Sequence, residues 1–377
     1  MINAKPSTLP VSSDQRALRQ VDRAITDLRR GGPVLLRDGS AALIAQAAEG
    51  VTPETLERLR LLSGATLSLV LTRRRAAALG LSEPPSGKGG AVLLRLAPDA
   101  AAEVLRDLAD PEAATTGEPP RGAMTAATGA AEAAVELVKL ARLLPAVVVA
   151  PLSPRGAAQL AEREGLMLLE AAHVLAYQTL AALSLRPVSE ARVPLTGAQD
   201  TRIMAFRPSD GGIEHLAILI GDPNPAAPVL VRLHSECFTG DLLGSLRCDC
   251  GDQLRGAIAA IARVGDGVLL YLAQEGRGIG LVNKLRAYRL QDAGFDTLDA
   301  NEQLGFDADE RVYLPAAEML RQLGFGTVRL LTNNPEKVAA LERYGIRVAE
   351  RVPHVFPANG HNERYLRTKA TRSGHLL

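Results

Sequence analysis

VLLYLAQEGRGIG, residues 268–280, gives the clearest indication of the fold class of the second half of the chain. Its first five residues form a short apolar run, typical of a strand that is buried on both faces. A glycine-rich turn follows at residues 274–280, and helix-forming sequence comes after it. Because strand, tight turn and helix in this order build one α/β layer, the sequence predicts a sheet covered by helices here.

The same alternation extends toward both ends of the chain. Helices are predicted at 14–29, from Pro53, and at 131–143 and 154–164, with a loose loop at 109–130. Strands are predicted at 33–36, 67–72, 146–150, 201–206, 214–220, 229–233 and 327–331. Asp252 is predicted to cap a helix whose apolar face is Leu254, Ile258 and Ile261. The fold class is therefore α/β (α+β) with two domains, 1–190 and 191–377, each a mixed sheet covered by helices.

Composition excludes several classes of function. The 377 residues carry a formal net charge of +1 and no long basic run, whereas a nucleic-acid surface needs clustered Lys and Arg. Aromatic residues make up only 3%, and Trp is absent, which disfavours stacking on bases. No apolar stretch approaches the roughly 18 residues of a spanning helix, and the polar start lacks a signal peptide. The expected partner is a small anion, and the expected compartment is the cytoplasm.

The three cysteines lie close together in sequence, at Cys237, Cys248 and Cys250. An odd number crowded into a short segment favours metal binding over a disulfide framework. Three thiolates would hold zinc and leave a fourth position for water, as in catalytic sites. The alternative is three reduced, buried cysteines. His234 could close the site as a fourth ligand, although strand alternation would place it on the face opposite Cys237.

A second reading of the same segment is a zinc nucleobase deaminase, which carries H-x-E followed by P-C-x-x-C. His234-Ser235-Glu236 fits the first part, but the later pair is C-x-C without the proline.

No P-loop is present, so a nucleotide would be held in another way. The glycine-rich turn at 274–280 and the strand-to-helix junction at 332–335 could each offer backbone N–H groups to an anion.

Five motifs occur in one order along the second half. They are H-S-E-C-x-T-G-D, S-L-R-C-D-C-G, Q-E-G-R-G-I-G-L, Q-L-G-F-x-x-D-x-R and L-T-N-N-P-x-K, and they begin at residues 234, 245, 274, 303 and 331. Together with the tail at 362–375 they closely resemble the signature of GTP cyclohydrolase II. That family converts GTP to 2,5-diamino-6-(5-phosphoribosylamino)pyrimidin-4(3H)-one, formate and pyrophosphate, the first step of riboflavin biosynthesis.

The resemblance implies a set of site residues. Zinc, one ion per subunit, would be held by Cys237, Cys248 and Cys250, so that activated water attacks C8 of guanine. Asp309, Arg311 and Tyr288 would be catalytic. Mg²⁺ would accompany the GTP triphosphate, and the protein would form a homodimer. The implied substrate-binding residues are Arg232, His234, Ser235, Glu236, Gln253, Glu275, Gly276, Arg277, Thr297, Thr332 and Lys337.

In the family proposal Arg311 attacks the α-phosphate while Asp309 accepts its proton. A guanidinium has a pKa above 12, so charge stabilisation on the leaving pyrophosphate is the alternative role. Glu275 would accept hydrogen bonds from guanine N1–H and N2–H₂.

The first half resembles 3,4-dihydroxy-2-butanone 4-phosphate synthase faintly, at 21–36, 51–54 and 132–177. That enzyme uses an acidic cluster to bind Mg²⁺, but the corresponding place here has Asp38 as its one acid, and Glu132 stands where the family has H-T-E. The prediction is an inactive domain with a structural role. A bifunctional riboflavin enzyme and a non-catalytic nucleotide-binding regulator are the alternatives.

Overall fold

A computed structural model describes residues 12–82, 90–113, 124–357, 360, 362–372, 374 and 376, without the side chains of 364–366, 368 and 369. The polar start of the chain, part of the predicted 109–130 loop and part of the tail motif therefore lie outside the described residues. The strands are β1 Val34–Asp38, β2 Ala41–Ala47, β3 Ser68–Thr72, β4 Ala91–Arg95, β5 Met124–Ala127, β6 Ala146–Leu152, β7 Leu168–Glu170, β8 Arg186–Arg192, β9 Thr201–Arg207, β10 His215–Ile220, β11 Val229–Ser235, β12 Gly267–Leu272, β13 Thr327–Leu331 and β14 Arg347–Val352.

The helices alternate with these strands along the chain. They are α1 Ser13–Arg29, α2 Pro53–Ser63, α3 Arg73–Ala78, α4 Ala102–Ala109, α5 Ala130–Leu140, α6 Pro154–Glu164, α7 Ala171–Leu183, α8 Cys250–Val264, α9 Leu281–Asp292, α10 Thr297–Gln303, α11 Leu314–Gln322, α12 Pro335–Arg343 and α13 Glu363–Arg372. None of the helices in the described part of the chain has the length and apolar character needed to cross a bilayer.

The first sheet has seven strands in the order β5-β4-β3-β6-β2-β1-β7, and every neighbouring pair except β1 with β7 is antiparallel. Side chains alternate between its two faces, so each face carries an apolar core. Leu69 and Leu71 pack with α2 and α4 on one face, and Val70 packs with α1 and α5 on the other. The sheet is therefore covered by helices on both sides.

The second sheet also has seven strands, in the order β14-β13-β11-β12-β10-β9-β8. Its β12, β11, β13 and β14 run parallel, whereas β8, β9 and β10 are antiparallel to their neighbours. Helices α11 and α12 cover one face and α8 the other. Ligands of such sheets bind outside the carboxyl ends of the parallel strands. The two mixed sheets confirm the predicted fold class.

Most predicted elements are present, and two predictions are wrong. The predicted loop at 109–130 contains β5, which pairs with β4 as an edge strand. The cap of α8 is not Asp252, because the helix already begins at Cys250 and Asp249 occupies the cap position. The predicted boundary between residues 190 and 191 falls within β8, the first strand of the second sheet. That boundary stays a prediction.

Candidate active site

One cavity opens beyond the carboxyl ends of β11, β12 and β13. The predicted site residues that line it are Arg232, His234, Ser235, Glu236, Cys237, Cys248, Cys250, Gln253, Glu275, Gly276, Arg277, Tyr288, Thr297, Arg311, Thr332 and Lys337. Asp309 does not line the cavity but contacts Arg311 directly. Residues as far apart in sequence as Arg232 and Lys337 thus meet in one place, because parallel strands bring their following loops to the same edge of the sheet.

The three thiols form a cluster in which all Sγ atoms lie within 4.8 Å of one another. Cys237 follows β11, Cys250 begins α8, and the Sγ atoms of Cys237 and Cys248 are 3.8 Å apart. Hydrogen bonding to Cys248 lowers the pKa of Cys237, and the same contact raises the pKa of Cys248. A tetrahedral zinc with Zn–S bonds of about 2.3 Å separates its sulfur ligands by roughly 3.8 Å, so the cluster fits zinc.

Gly240 makes room for this cluster. A Cβ atom at this position would lie 2.7 Å from the Sγ of Cys248 and 3.0 Å from the Sγ of Cys237. Gly240 lies in a single π-helical turn, Phe238–Leu242, that connects β11 to the other two cysteines. The absence of a side chain at Gly240 therefore permits the close approach of the thiols.

Asp241 fixes the segment around the first cysteine. Its carboxylate accepts hydrogen bonds from the backbone N–H of Cys237 at 2.9 Å and the hydroxyl of Tyr271 at 2.9 Å, and it contacts Nε2 of His234 at 3.0 Å. Burial lowers the pKa of His234, although Asp241 opposes that effect. His234 is not part of the described metal-ligating cluster, since its Nε2 is directed to Asp241.

Lys284, on α9, contacts the cluster from the other side. Its Nζ lies 3.1 Å from the Sγ of Cys237 and donates to Thr239 at 2.9 Å and to Glu275 at 2.8 Å. The same Glu275 carboxylate accepts from the backbone N–H groups of Phe238 at 2.6 Å and Gly276 at 2.8 Å. A carboxylate offers about four acceptor positions, so most of the capacity of Glu275 is used inside the protein.

Arg232 brings a buried positive charge to the cavity. Its Nη1 donates to the backbone oxygen of Leu331 at 2.9 Å, and its Nη2 donates to the side chain of Gln253. Burial lowers the pKa of Arg232 to about 10, and its Nε has no hydrogen-bond partner among the residues that the structure describes. A buried N–H without an acceptor is unusual in a folded protein, so this group is suited to an anionic or carbonyl ligand.

The turn after β12 has an unusual backbone conformation. Gly276, Gly278 and Gly280 have φ values of 65°, 98° and 86°, and Arg277, although not glycine, has a φ of 62°. Left-handed conformations at non-glycine residues are strained and cluster at functional sites. The side chain of Arg277 lines the cavity, and its Nη1 donates to the backbone oxygen of Ala308 at 3.3 Å.

Asp309 and Arg311 form an ion pair beside the cavity. The Nε of Arg311 lies 2.9 Å from Oδ1 and 3.1 Å from Oδ2 of Asp309, and a further bond joins Nη2 to Oδ2. Burial alone would raise the pKa of Asp309, but the charge and hydrogen bonds of Arg311 lower it to about 2. The carboxylate therefore stays ionised at neutral pH and keeps the guanidinium charged and oriented.

Three further predicted residues complete the polar lining. Lys337 is buried and donates from Nζ to the backbone oxygen of Leu233 at 2.7 Å. The hydroxyl of Thr332 accepts from the backbone N–H of Asn334 at 3.0 Å, just before α12. Tyr288 lies under the guanidinium of Arg247, whose carbon is 4.6 Å from the ring centre.

Sequence reasoning assigned no role to Asp241, Lys284, Arg247 or His354, which all contact or line the site. For Lys284 a signal was available, because it lies on the stripe of α9 that also carries buried Ala287. A lysine on an apolar stripe needs a partner, and here the partners are Glu275 and Cys237. For His354, whose Nε2 contacts the backbone oxygen of Gln253 at 2.9 Å, we find no such signal.

Comparisons with known proteins identify the family of the chain. Residues 186–353 match the family model described as GTP cyclohydrolase II. A GTP cyclohydrolase-2 from Azospirillum brasilense is 58% identical over 383 aligned residues, covering 100% of this chain and 98% of the relative. A GTP cyclohydrolase-2 from Xylella fastidiosa is 40% identical, covering 100% of this chain and 92% of that protein.

A solved structure of a two-domain 3,4-dihydroxy-2-butanone 4-phosphate synthase from A. baumannii is also similar. It is 18% identical, covers 89% of this chain and 99% of that chain, and has a TM-score of 0.37. A similarity at this level carries no conclusion about the first half. The identities to the two cyclohydrolases extend over the whole length, and on that basis the chain belongs to the GTP cyclohydrolase II family.

Proposed function

We propose that this enzyme hydrolyses GTP to 2,5-diamino-6-(5-phosphoribosylamino)pyrimidin-4(3H)-one, formate and pyrophosphate, the first step of riboflavin biosynthesis. The observation that carries the proposal is a three-thiol cluster in the same cavity as buried cations. The thiols suit a metal that acts on the guanine ring, and the cations suit a triphosphate. The two relatives are both named GTP cyclohydrolase-2, which supports GTP as the substrate.

Zinc is the metal that the thiol cluster favours, because three cysteines at this spacing match its ligand preference. Bound zinc would act as a Lewis acid and lower the pKa of water to about 7. Asp241 and Lys284 hold Cys237 from two sides, and such outer contacts orient ligands and tune a metal site. Lys284 also adds a positive charge beside the thiolates.

The chain's own side chains would bind and orient the nucleotide. Arg232, Arg277 and Lys337 would contact phosphate or ribose, and Mg²⁺ would accompany the triphosphate. Glu275 has little free acceptor capacity, so we assign it first to fixing Lys284 and the Phe238 N–H. Guanine would then use the remaining acceptor position of Glu275 and the second N–H of the Gln253 amide, whose oxygen accepts from Arg232 and whose first N–H donates to Asp249.

Arg311 would stabilise the charge that develops on the leaving pyrophosphate. Asp309 holds the guanidinium in a forked contact and stays ionised, which keeps Arg311 protonated. A protonated guanidinium is a strong donor to phosphate oxygens and a poor nucleophile. This arrangement favours electrostatic stabilisation over attack on the α-phosphate.

A homodimer is also proposed. Large apolar side chains are exposed on two neighbouring segments of the site rim, the turn after β11 and α9, which Lys284 and Thr239 connect. Exposed apolar side chains grouped on neighbouring segments are typical of protein interfaces. These side chains are Phe238, Leu242, Leu243, Leu246, Val282 and Leu285. A second copy of this chain is the proposed occupant, and light scattering of the purified protein tests it.

The function is tested by incubating the zinc-loaded full chain with GTP and Mg²⁺ and measuring formate and pyrophosphate together. Equal amounts of both are expected. A GTP analogue with carbon in place of N7 is the matched substrate control and should release no formate, because its five-membered ring lacks the amidine. Pyrophosphate without formate from GTP would contradict ring opening. Neither product, with zinc bound, would favour a nucleotide-binding regulator.

A further inference from the structure

One segment that lines much of the cavity packs into the core of the first domain. Residues 275–311 run from the turn after β12 through α9 and α10 to Arg311. Six of its apolar side chains belong to the same buried cluster as Leu69 and Leu71 of β3. They are Ile279, Ala287, Leu290, Ala300, Leu304 and Phe306. The first domain therefore supplies part of the core against which this segment packs.

Polar contacts from the first domain hold the loop that follows α10. The hydroxyl of Thr72 donates to the backbone oxygen of Gly305 at 2.6 Å, and Nη1 of the buried Arg75 donates to that of Gln303 at 2.9 Å. Arg74 pairs with Asp307 at 3.1 Å and with Glu302 at 3.2 Å. The backbone that leads to Asp309 is therefore tied to β3 and α3.

Lys139, on α5, reaches the residue between Asp309 and Arg311. Its Nζ lies 2.9 Å from Oε2 of Glu310, and both side chains are mostly buried. It also pairs with Glu136 of its own helix at 3.3 Å. Burial raises the pKa of Glu310, and the charge of Lys139 opposes this rise. Without Lys139 the Glu310 carboxylate would be left in a buried place without its partner, which is strongly unfavourable.

Glu310 in turn organises the backbone of the site loop. Its Oε1 accepts from the backbone N–H of Asp307 at 2.9 Å, and its own N–H donates to the backbone oxygen of Arg277 at 3.0 Å. A Cβ atom on Gly278 would lie 3.0 Å from the backbone carbon and oxygen of Glu310, so the two loops are in close contact. A displacement of Glu310 would shift Asp309, Arg311 and Arg277 together.

We infer that the first domain positions the Asp309–Arg311 pair for catalysis, through the ion pair between Lys139 and Glu310. This inference rests on the proposed function for its kinetic consequence, whereas its structural part does not need GTP hydrolysis. Lys139 and Glu310 are positioning residues, since neither lines the cavity. The first domain thereby acts on the reaction without a catalytic group of its own.

The test compares Lys139→Met, Lys139→Arg, Glu310→Gln and the double variant Lys139→Met/Glu310→Gln, all in the full zinc-loaded chain. Lys139→Met should lower kcat roughly tenfold or more with little change in KM for GTP, because small misplacements of catalytic groups lower the rate. Lys139→Arg should recover most of the loss. The double variant should be no worse than about the worse single variant, because the two residues act as one pair.

The matched control is Arg289→Met, which removes another ion pair between the domains, Arg289 with Glu112 at 2.8 Å, away from the Asp309 loop. It should keep kcat within about twofold. Hydrogen exchange gives a readout that does not depend on turnover. Amides of the peptide 306–312 should exchange roughly tenfold faster in Lys139→Met and remain unchanged in Arg289→Met.

Unchanged amide exchange of peptide 306–312 in Lys139→Met would overturn the inference. If the wild type releases formate, an unchanged kcat in Lys139→Met would overturn it too. Equal losses in Lys139→Met and Lys139→Arg, or an additive double variant, would overturn it as well. If the wild type releases no formate, the proposed function fails, and the exchange measurement still decides whether Lys139 orders the loop.

Discussion

The two domains have sheets of equal strand number but very different buried polar content. Among the described residues, four buried polar or charged side chains belong to the first domain, namely Gln46, Ser68, Thr72 and Arg75, whereas fifteen belong to the second. Burying polar groups is unfavourable unless they are hydrogen-bonded, and folding a sheet does not require it. Ten of these fifteen line the cavity, so the difference between the domains lies mainly at the candidate site. Thr72 and Arg75 also hydrogen-bond to the loop before Asp309.

Among the variants considered, replacing a thiol of the second domain should lower GTP turnover the most. Cys250→Ser should lose bound zinc, and the turnover of GTP should fall by roughly a hundredfold or more, because one of three ligands is lost. Metal analysis and formate release measure the two effects. A Cys250→Ser variant that keeps its zinc and full turnover would show that the cluster is not the metal site.

The second largest effect is expected at Arg311, the cation assigned to pyrophosphate release. Arg311→Lys keeps the charge but loses the fork that contacts Asp309, so pyrophosphate release should slow by roughly 10²-fold. Arg329→Lys is the matched control, since Arg329 of β13 pairs at 2.6 Å with the exposed Glu350 of the edge strand β14. That variant should stay within about twofold of wild type. Equal rates for the two variants would remove Arg311 from the mechanism.

The pKa of Asp309 predicts a pH-dependent contribution to stability. Because the folded pKa is about 2, below the usual 3.8, the ionised Asp309 stabilises the fold above pH 4. This contribution is lost as the pH falls through 2. Asp309→Asn should therefore lower the free energy of unfolding at pH 7 by about 2 kcal/mol, with a smaller difference at pH 3.

Urea unfolding at pH 7, 4 and 3 measures this difference. The control is Asp252→Asn, since the carboxylate of Asp252 is exposed and pairs only with the exposed Arg255 of the same helix among its described contacts. It should change stability by no more than about 0.5 kcal/mol. A difference between wild type and Asp309→Asn that stays constant with pH would mean that the carboxylate charge is not what stabilises the loop.

The smallest effect is expected in the first domain. Asp38, the one acid where the resembling synthase has a cluster, ends β1 beside Arg37, which pairs with Glu170. Asp38→Asn should leave GTP turnover within about twofold, since an exposed side chain away from the site contributes little. Neither wild type nor variant should convert ribulose 5-phosphate with Mg²⁺. Formation of dihydroxybutanone phosphate would show that the first domain is a second active site.

The sequence alone predicted much of the fold and most of the cavity lining. Continuous apolar runs such as 268–272 gave the buried strands, because strand burial depends on local pattern. Motif spacing predicted the thiol cluster and the cations that line the cavity. The edge strand β5 was missed, since a short strand of Met, Thr and Ala in a Pro-, Gly- and Ala-rich segment has no clear alternation.

Motifs in the sequence specify which residue types the site contains, whereas the packing of distant segments specifies which of them meet. Lys284 reaches Cys237 across 47 positions, and Thr72 reaches Gly305 across 233. Local periodicity cannot encode such pairs, because they depend on strand order and on how the two sheets are packed. The ion pair between Lys139 and Glu310 is another contact between residues far apart in sequence. It gives the first domain a role that its own motifs do not indicate.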